Sequence, residues 1–499
     1  MTWQDLFPEA PNLFPSGSSV ALLADHDGQL AAIPPGESGL RIFFAIRGVF
    51  RDGHDFLERA ISSGANAAVV EENCIGRTPE HFPLLRVENV RRFWAEVQRR
   101  RSGYPDRELA IHAVTGTDGK TTTIHALQHL LGENCARMDT IDCQSGFGVA
   151  AESSAATTHG AAVTYPFLRR AVDGGCVHAA LEMSSHALAT DRLWGLRIST
   201  AIFTNLSREH LDFHGTCESY FDAKCRLFDG RCGCLPNFCA INGDDSFGRH
   251  LLGQLRGEGR RVLSFGSGDG CEWQLLESVP EGKGTRFHFR TPEGNFWVHS
   301  SLLGKCNGLN LLAATAAASP YFPIPVLLER LKTFSPPRGR LEPIPLAGGA
   351  TAFVDYAHTP GALAAVLGSL REHFPRRRIG LVFGCGGNRD RSKRPAMGKV
   401  AEALTDWTIL TADNPRDEDP MAICEEICAG FSGRRPPVIP DRFGAIAAGV
   451  SRAVEGREVL LVAGKGHERT QEISGKFFPF CDGDVLLEMA ESRRKGENG

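Results

Sequence analysis

Three near-continuous apolar runs in the chain each end in a glycine-rich turn. Residues 109–114 lead into Thr115-Gly116-Thr117-Asp118-Gly119-Lys120, residues 379–383 into Gly384-Cys385-Gly386-Gly387, and residues 459–463 into Gly464-Lys465-Gly466-His467. Runs of this length predict strands buried on both faces, as in parallel α/β sheets. Helical spacing of apolar positions lies between them, over 126–131 and 361–374. Alternating strands and helices predict doubly wound units, with ligands at the carboxyl ends of the strands. Residues 99–107 are polar and carry Gly103 and Pro105, and Ser335-Pro336-Pro337-Arg338-Gly339-Arg340 forms a second break. These breaks divide the chain at 1–107, 108–335 and 336–499.

Composition narrows the class. The chain has 499 residues, 42% hydrophobic and 23% charged, as in a folded globular protein rather than a disordered one. Its 55 Gly and 28 Pro follow no G-X-Y period, which excludes collagen. A formal charge of −4 gives no global attraction for nucleic acid. The start, Met1-Thr2-Trp3-Gln4-Asp5, shows neither the basic nor the apolar region of a secretory signal. The longest uncharged stretch, 306–328, contains Asn307, Asn310, Pro320, Pro323 and Pro325, so a buried helix followed by a loop is expected, not a membrane span. Fifteen cysteines predict reduced thiols and a cytoplasmic location. Cys232, Cys234 and Cys239 lack paired metal-ligand spacing. Cys424 and Cys428, one helical turn apart, read as core.

The first glycine turn carries the clearest chemistry. Gly116, Thr117, Asp118, Gly119, Lys120, Thr121 and Thr122 stand between a predicted strand and a helix. Glycines let backbone N–H groups converge on an anion, and the helix start adds its positive end. Lys120 supplies a charge for outer phosphates and Thr121 a hydroxyl for Mg²⁺. Val114 stands where the usual phosphate loop has its first glycine. The segment resembles the ATP loop of the Mur ligases, ATP-dependent amide-forming enzymes of peptidoglycan synthesis, with Asp118 in place of the usual Asn.

Further motifs carry the resemblance. They are Leu181-Glu182-Met183-Ser184-Ser185-His186, Ser207-Arg208-Glu209-His210-Leu211-Asp212, and Tyr220-Phe221-Asp222-Ala223-Lys224. The resemblance implies that Glu182 and His210 hold a second Mg²⁺ and that Lys224 is carbamylated by CO₂. Glu209 stands where the family has Asp. Thr157, Thr158, Ser184 and Arg192 match contacts to the UDP-sugar peptide. Gly304-Lys305-Cys306-Asn307 and Arg338-Gly339-Arg340 imply that Asn307 and Arg340 reach the nucleotide, and Asn307 also suits a helix N-cap. Asp355, in Val354-Asp355-Tyr356-Ala357-His358, could accept from ribose hydroxyls.

Arg389, Asp413, Asn414, Pro415, Arg416, Gly464 and Glu468 match residues that meet the incoming amino acid. Asp413-Asn414-Pro415-Arg416 resembles the branch that adds meso-diaminopimelate. An aspartate can pair with the distal ammonium of that substrate, and an arginine can clamp its carboxylate. Asp52-Gly53-His54-Asp55-Phe56 resembles the uridine-binding domain, with Pro34-Pro35-Gly36 in place of the usual Asp-Ser-Arg. The fold implied is α/β in three domains: a smaller N-terminal α/β domain that binds the UDP-sugar, a central P-loop-type doubly wound ATPase domain, and a C-terminal Rossmann-like domain for the amino acid. The implied enzyme is a monomeric cytoplasmic ligase. It would use ATP and Mg²⁺ to join meso-diaminopimelate to a UDP-N-acetylmuramoyl dipeptide through an acyl phosphate. Ligation of L-lysine or another amino acid, a folylpolyglutamate-synthetase-like ligase, and a binding-only homologue are the alternatives.

Overall fold

The computed structural model describes residues 1–25, 39–48, 51–74, 81–146, 152–153 and 156–497; Pro34, Pro35 and Gly36 lie outside them. Near the N-terminus, four strands form a parallel sheet in the order Val20–Ala24, Leu40–Phe44, Ala67–Glu71, Leu84–Val87. The helix Val90–Arg101, capped by Asn89, follows them. Its Trp94 joins Trp3 and Phe44 in an apolar cluster that continues into Ile111 and Phe203 of the central sheet.

The central sheet is built around Ala110–Thr115, which lies parallel between His178–Glu182 and Thr200–Phe203. The chain winds outward from this strand on both sides, through Cys135–Met138 one way and Phe238–Asn242 the other. Such a reversal opens a crevice at the carboxyl ends of the strands. The apolar run 109–114 is thus a strand, and the helix after it, Lys120–Leu131, starts earlier than the 126–131 pattern suggests. Three antiparallel strands, Trp273–Glu281, Gly284–Thr291 and Gly294–Ser300, extend one edge. Their alternating pattern is not among the three apolar runs.

The C-terminal sheet runs Glu342–Pro345, Thr351–Asp355, Val459–Ala463, Ile379–Phe383, Trp407–Leu410. All but the first strand are parallel. The antiparallel strand is an edge, which accommodates Pro343 and Pro345 because no ladder donor is needed on its open side. The 306–328 stretch forms the helix Lys305–Ala318 and a second helix, Ile324–Leu331, with Pro323 at its N-cap. A loop was expected after the first helix. That loop is present but short, residues 319–323 with Pro320 in it, and Pro323 and Pro325 stand at the start of the second helix, where a missing N–H costs nothing. No helix among the described residues is long and apolar enough to cross a membrane. All fifteen cysteines are free thiols; Cys424 is buried and Cys428 half-buried.

Candidate active site

The phosphate loop leaves the carboxyl end of Ala110–Thr115 and closes against the neighbouring strand end. Thr204 Oγ1 donates to the Asp118 carbonyl (2.7 Å), and the Asp118 N–H donates to Asn205 Oδ1 (2.9 Å). Gly116 and Gly119 have φ of +151° and +82°, and a Cβ would come within 1.9 Å of Thr204 Oγ1 and 2.3 Å of Asn310 Oδ1 respectively. Only glycine fits both places. Gly119 caps Lys120–Leu131 with no side-chain hydrogen bond, which leaves the first N–H groups of the helix for an anion. Lys120 Nζ is folded back on the Gly116 and Thr117 carbonyls (3.1 and 2.8 Å) and lies 3.8 Å from Glu182 Oε1.

Glu182, at the end of the adjacent strand, is 3% exposed. Its Oε2 accepts from Thr121 Oγ1 (3.0 Å), Thr140 N (3.2 Å) and Thr140 Oγ1 (3.0 Å). His210 sits in a left-handed backbone conformation. Burial holds its pKa down to about 4, so its ring is neutral. Lys224, on the helix Cys217–Cys225, is 1% exposed and donates to the Gly116 carbonyl at 2.7 Å, beside the Tyr220 ring. Burial, reinforced by the Lys120 charge, drives its pKa well below the ordinary amine range. A neutral amine is the form that reacts with CO₂. Among the described residues, no three His, Cys, Asp or Glu side chains are grouped to hold a metal. Mg²⁺ commonly takes one or two carboxylates together with waters and substrate phosphates. The Glu182 carboxylate with the Thr121 hydroxyl, at the mouth of a phosphate loop, fits that donor set.

A cavity of about 360 Å³ joins these residues to the C-terminal sheet; its lining includes Lys120, Glu182, His210, Asn307, Arg340 and Asp355. Arg340 bridges the two sheets by donating from Nη2 to Thr121 Oγ1 (3.1 Å) and stacking over Tyr356. Asn307 is not a helix cap: Gly304 occupies that position, and Asn307 Nδ2 donates to the Leu303 carbonyl (2.9 Å). Asp355 already accepts the Leu341 and Ala357 N–H groups, each at 2.7 Å, so it ties down the linker as well as facing the cavity.

A second cavity of about 740 Å³ abuts the first along Thr140, Thr157 and Tyr356, which line both. Its wall includes Asn414, Arg416, His467, Glu468 and Glu472. Asn414 Nδ2 donates to Glu468 Oε2 (2.7 Å), and the fully buried Lys465 donates to Asn414 Oδ1 (3.0 Å) and Glu468 Oε2 (2.9 Å). Arg416 donates from Nε to Glu472 (2.9 Å) and from Nη1 to the Gly387 carbonyl (2.8 Å).

Not every expected residue faces these cavities. Asp413 lies behind Gly464, whose φ of +113° and missing Cβ leave room for the Asp413 carboxylate. Asp413 Oδ1 accepts the Asn414 N–H at 2.7 Å. Arg389 is exposed and lines neither cavity, and Pro415 packs its carbonyl against Gly387. The Thr158 hydroxyl donates to the Glu182 carbonyl (2.7 Å) and accepts from Ser184 N (2.9 Å), so Thr157 is the member of the pair that faces the cavities. Ser184 Oγ caps the helix Ser185–Ala189, and Arg192 donates to the Thr158 carbonyl (2.8 Å). Lys465, Glu472, Tyr356 and Thr140 were not singled out from sequence.

The model of the Mur ligase middle domain matches residues 114–318, and that of the Mur ligase glutamate ligase domain matches residues 339–466. A UDP-N-acetylmuramoyl-L-alanyl-D-glutamate–2,6-diaminopimelate ligase of Alkalilimnicola ehrlichii is 39% identical over 466 residues, covering 90% of this chain and 91% of the relative. One from Chlorobium phaeobacteroides is 36% identical, covering 100% and 98%. A solved structure of a ligase with the same name superposes with a TM-score of 0.65 at 29% identity, covering 99% of both chains. A MurF ligase from Thermotoga maritima solved with ADP shares the fold with a TM-score of 0.61 at 17% identity, covering 96% of this chain and 99% of that one.

Proposed function

The chain belongs to the Mur ligase family, and on that premise we propose how its residues carry out the family's reaction. It is an ATP-dependent ligase of peptidoglycan synthesis that adds meso-diaminopimelate to UDP-N-acetylmuramoyl-L-alanyl-D-glutamate. The observation that carries the residue assignment is the shared wall of the two cavities at Thr140, Thr157 and Tyr356. An acyl phosphate made on one side of that wall is within reach of an amine held on the other.

ATP lies on the phosphate loop, its phosphates against the N–H groups of residues 116–122, with Asn307, Arg340 and Asp355 around the nucleoside. A D-Glu carboxylate oxygen attacks the γ-phosphorus, and ADP leaves. Lys120 and Arg340 meet the charge that develops on the transferring group. Glu182, His210 and Thr121 would hold Mg²⁺, which neutralises phosphate charge. Addition of CO₂ to neutral Lys224 releases one proton and replaces an amine with an anionic carbamate beneath the phosphate loop, where Nζ meets the Gly116 carbonyl. Thr157, Ser184 and Arg192 hold the UDP-sugar peptide. The amine of diaminopimelate attacks the acyl carbon, phosphate departs, and the nitrogen gives up a proton. Asn414, Arg416 and Glu468 hold the amino acid, with Arg389, Asp413, Pro415 and Gly464 shaping the loops around it. The enzyme works in the cytoplasm as a monomer.

ADP release by the purified protein, with UDP-N-acetylmuramoyl dipeptide and each candidate amino acid in turn, tests this reading. Release that depends on both dipeptide and diaminopimelate is expected. Release with lysine but not diaminopimelate would overturn the specificity.

A further inference from the structure

The hairpin of Thr470–Ile473 and Lys476–Pro479 bears none of the motif residues, yet it clasps residues 413–416. The Arg416 N–H donates to the Glu472 carbonyl (3.1 Å) and the Ser474 N–H to the Arg416 carbonyl (2.7 Å), a single parallel bridge between Arg416 and Ile473 of the hairpin. Gln471 Nε2 donates to the Asp413 carbonyl (2.7 Å), and the Glu472 N–H donates to Asn414 Oδ1 (3.0 Å). The side chain repeats the pattern. Glu472 Oε2 takes Arg416 Nε at 2.9 Å, while the Gly387 carbonyl takes Nη1 at 2.8 Å.

Two anchors from two separate elements fix the plane of a planar fork. Arg416 Nη2 makes no hydrogen bond with a described residue, and both Arg416 and Glu472 line the second cavity. An arginine held in this way meets a carboxylate without first giving up rotamer freedom. Resting on the reading that this cavity takes diaminopimelate, we propose that Glu472 is a positioning residue that sets specificity for amino acids with a distal carboxylate, by holding Arg416 through Nε.

Steady-state kinetics with diaminopimelate and with L-lysine test this in E472A and E472Q. E472A raises the KM for diaminopimelate about tenfold, the loss of roughly one charge-assisted hydrogen bond of modest strength. The kcat, the KM for ATP and any use of lysine stay at parental values. E472Q recovers most of the loss, because its amide oxygen still accepts from Nε. Should E472A not fold, E472D, which withdraws the carboxylate by one methylene, gives a smaller rise of the same kind. Equal losses for ATP, lysine and diaminopimelate would reduce the hairpin to a structural part and overturn the proposal. A lower KM for diaminopimelate would overturn it too, since Glu472 would then compete with the substrate. A parent that ligates no diaminopimelate fails the preceding reading, whereas an active parent matched by E472A fails only this one.

Discussion

His358 Nε2 lies 2.8 Å from Glu209 Oε1, joining the C-terminal sheet to the phosphate-loop side of the central one. Its Nδ1 lies 2.9 Å from the Tyr356 carbonyl. Both partners can only accept, so both ring nitrogens donate and the ring is an imidazolium. Burial opposes that charge, but the Glu209 hydrogen bond and charge outweigh it and raise the His358 pKa. Burial likewise works against the Glu209 carboxylate, and His358, His210 and Lys120 hold its pKa far below the usual range. Glu209, longer by one methylene than the family's Asp, makes this contact.

The sign of a pH effect follows. A histidine with a raised folded pKa stabilises below its ordinary value near 6.5 and loses that contribution as pH rises through the raised value. Because His358 lines the first cavity, ADP affinity is expected to weaken only as pH rises through that raised value, where the folded imidazolium loses its charge, and more steeply in the parent than in H358A. Calorimetric titration at several pH values compares the two slopes. Parallel slopes would remove His358 from nucleotide binding.

Lys120→Ala should lower kcat by about 10²–10³-fold, the usual effect of removing one donor aimed at developing transition-state charge. Its Nζ is already held over the loop by the Gly116 and Thr117 carbonyls. Near-parental turnover would contradict the phosphate-loop assignment.

Lys224→Ala should be severely impaired and stay so in high bicarbonate, because no amine remains to carbamylate. Short carboxylates should restore part of the activity by filling the space with an anion. A mass increase of one CO₂ on native parental protein, absent from the variant, checks the modification directly. Parental turnover by Lys224→Ala would leave its burial beneath the loop as a packing feature.

Contiguous signals were the legible ones. The strand–turn–helix unit at 110–131 appears because the apolar run, the glycines and the helix start follow one another in sequence. Glu182, His210 and Lys224 were reachable only through resemblance, since no spacing rule joins positions so far apart. Glu209 and His358 are 149 positions apart, and nothing local in either segment announces the partner. Lys465 looked like part of a glycine turn; only the fold shows its ammonium buried among Asn414, Glu468 and the Thr470 carbonyl. Asp413 was legible as a residue type, but the side of the turn its carboxylate takes, against Gly464, was not.

His112 offers a stability test away from the site. It is fully buried, with Nε2 3.3 Å from His178 Nδ1, and Tyr321 stands edge-on to both rings. Burial, with the neighbouring His178, lowers its pKa to about 3. Below pH 6.5 the unfolded chain binds a proton that the folded chain refuses, so this group's contribution falls as pH falls from 6.5 toward 3. The slope is about 1.4 kcal/mol per pH unit for one proton. His112→Asn should flatten the pH dependence of the unfolding free energy from denaturant titrations between pH 6 and 4 by about that amount. An unchanged slope would show that His112 takes up its proton in the folded state.

Arg416→Ala tests the amino-acid site. Nε and Nη1 are committed to Glu472 and Gly387, so a distal carboxylate meets the end of the fork rather than its full side. A charge-assisted contact of this kind is worth about 1.5–3 kcal/mol, or roughly one to two decades in binding. The loss should fall on the KM for diaminopimelate, because the distal carboxylate is remote from the attacking amine. The KM for ATP should hold. Arg416→Lys should recover only part, since one ammonium cannot keep the Glu472 anchor and also meet the substrate. Lysine lacks the distal carboxylate, so its use should not worsen. The left-handed backbone at Arg416, φ +52°, burdens alanine and arginine alike through their Cβ atoms, so the substitution adds no backbone strain, and a denaturation midpoint measured beside the kinetics separates loss of the Glu472 and Gly387 anchors from loss of substrate binding. Equal losses for ATP and diaminopimelate would assign Arg416 to the folding of the loop and hairpin instead.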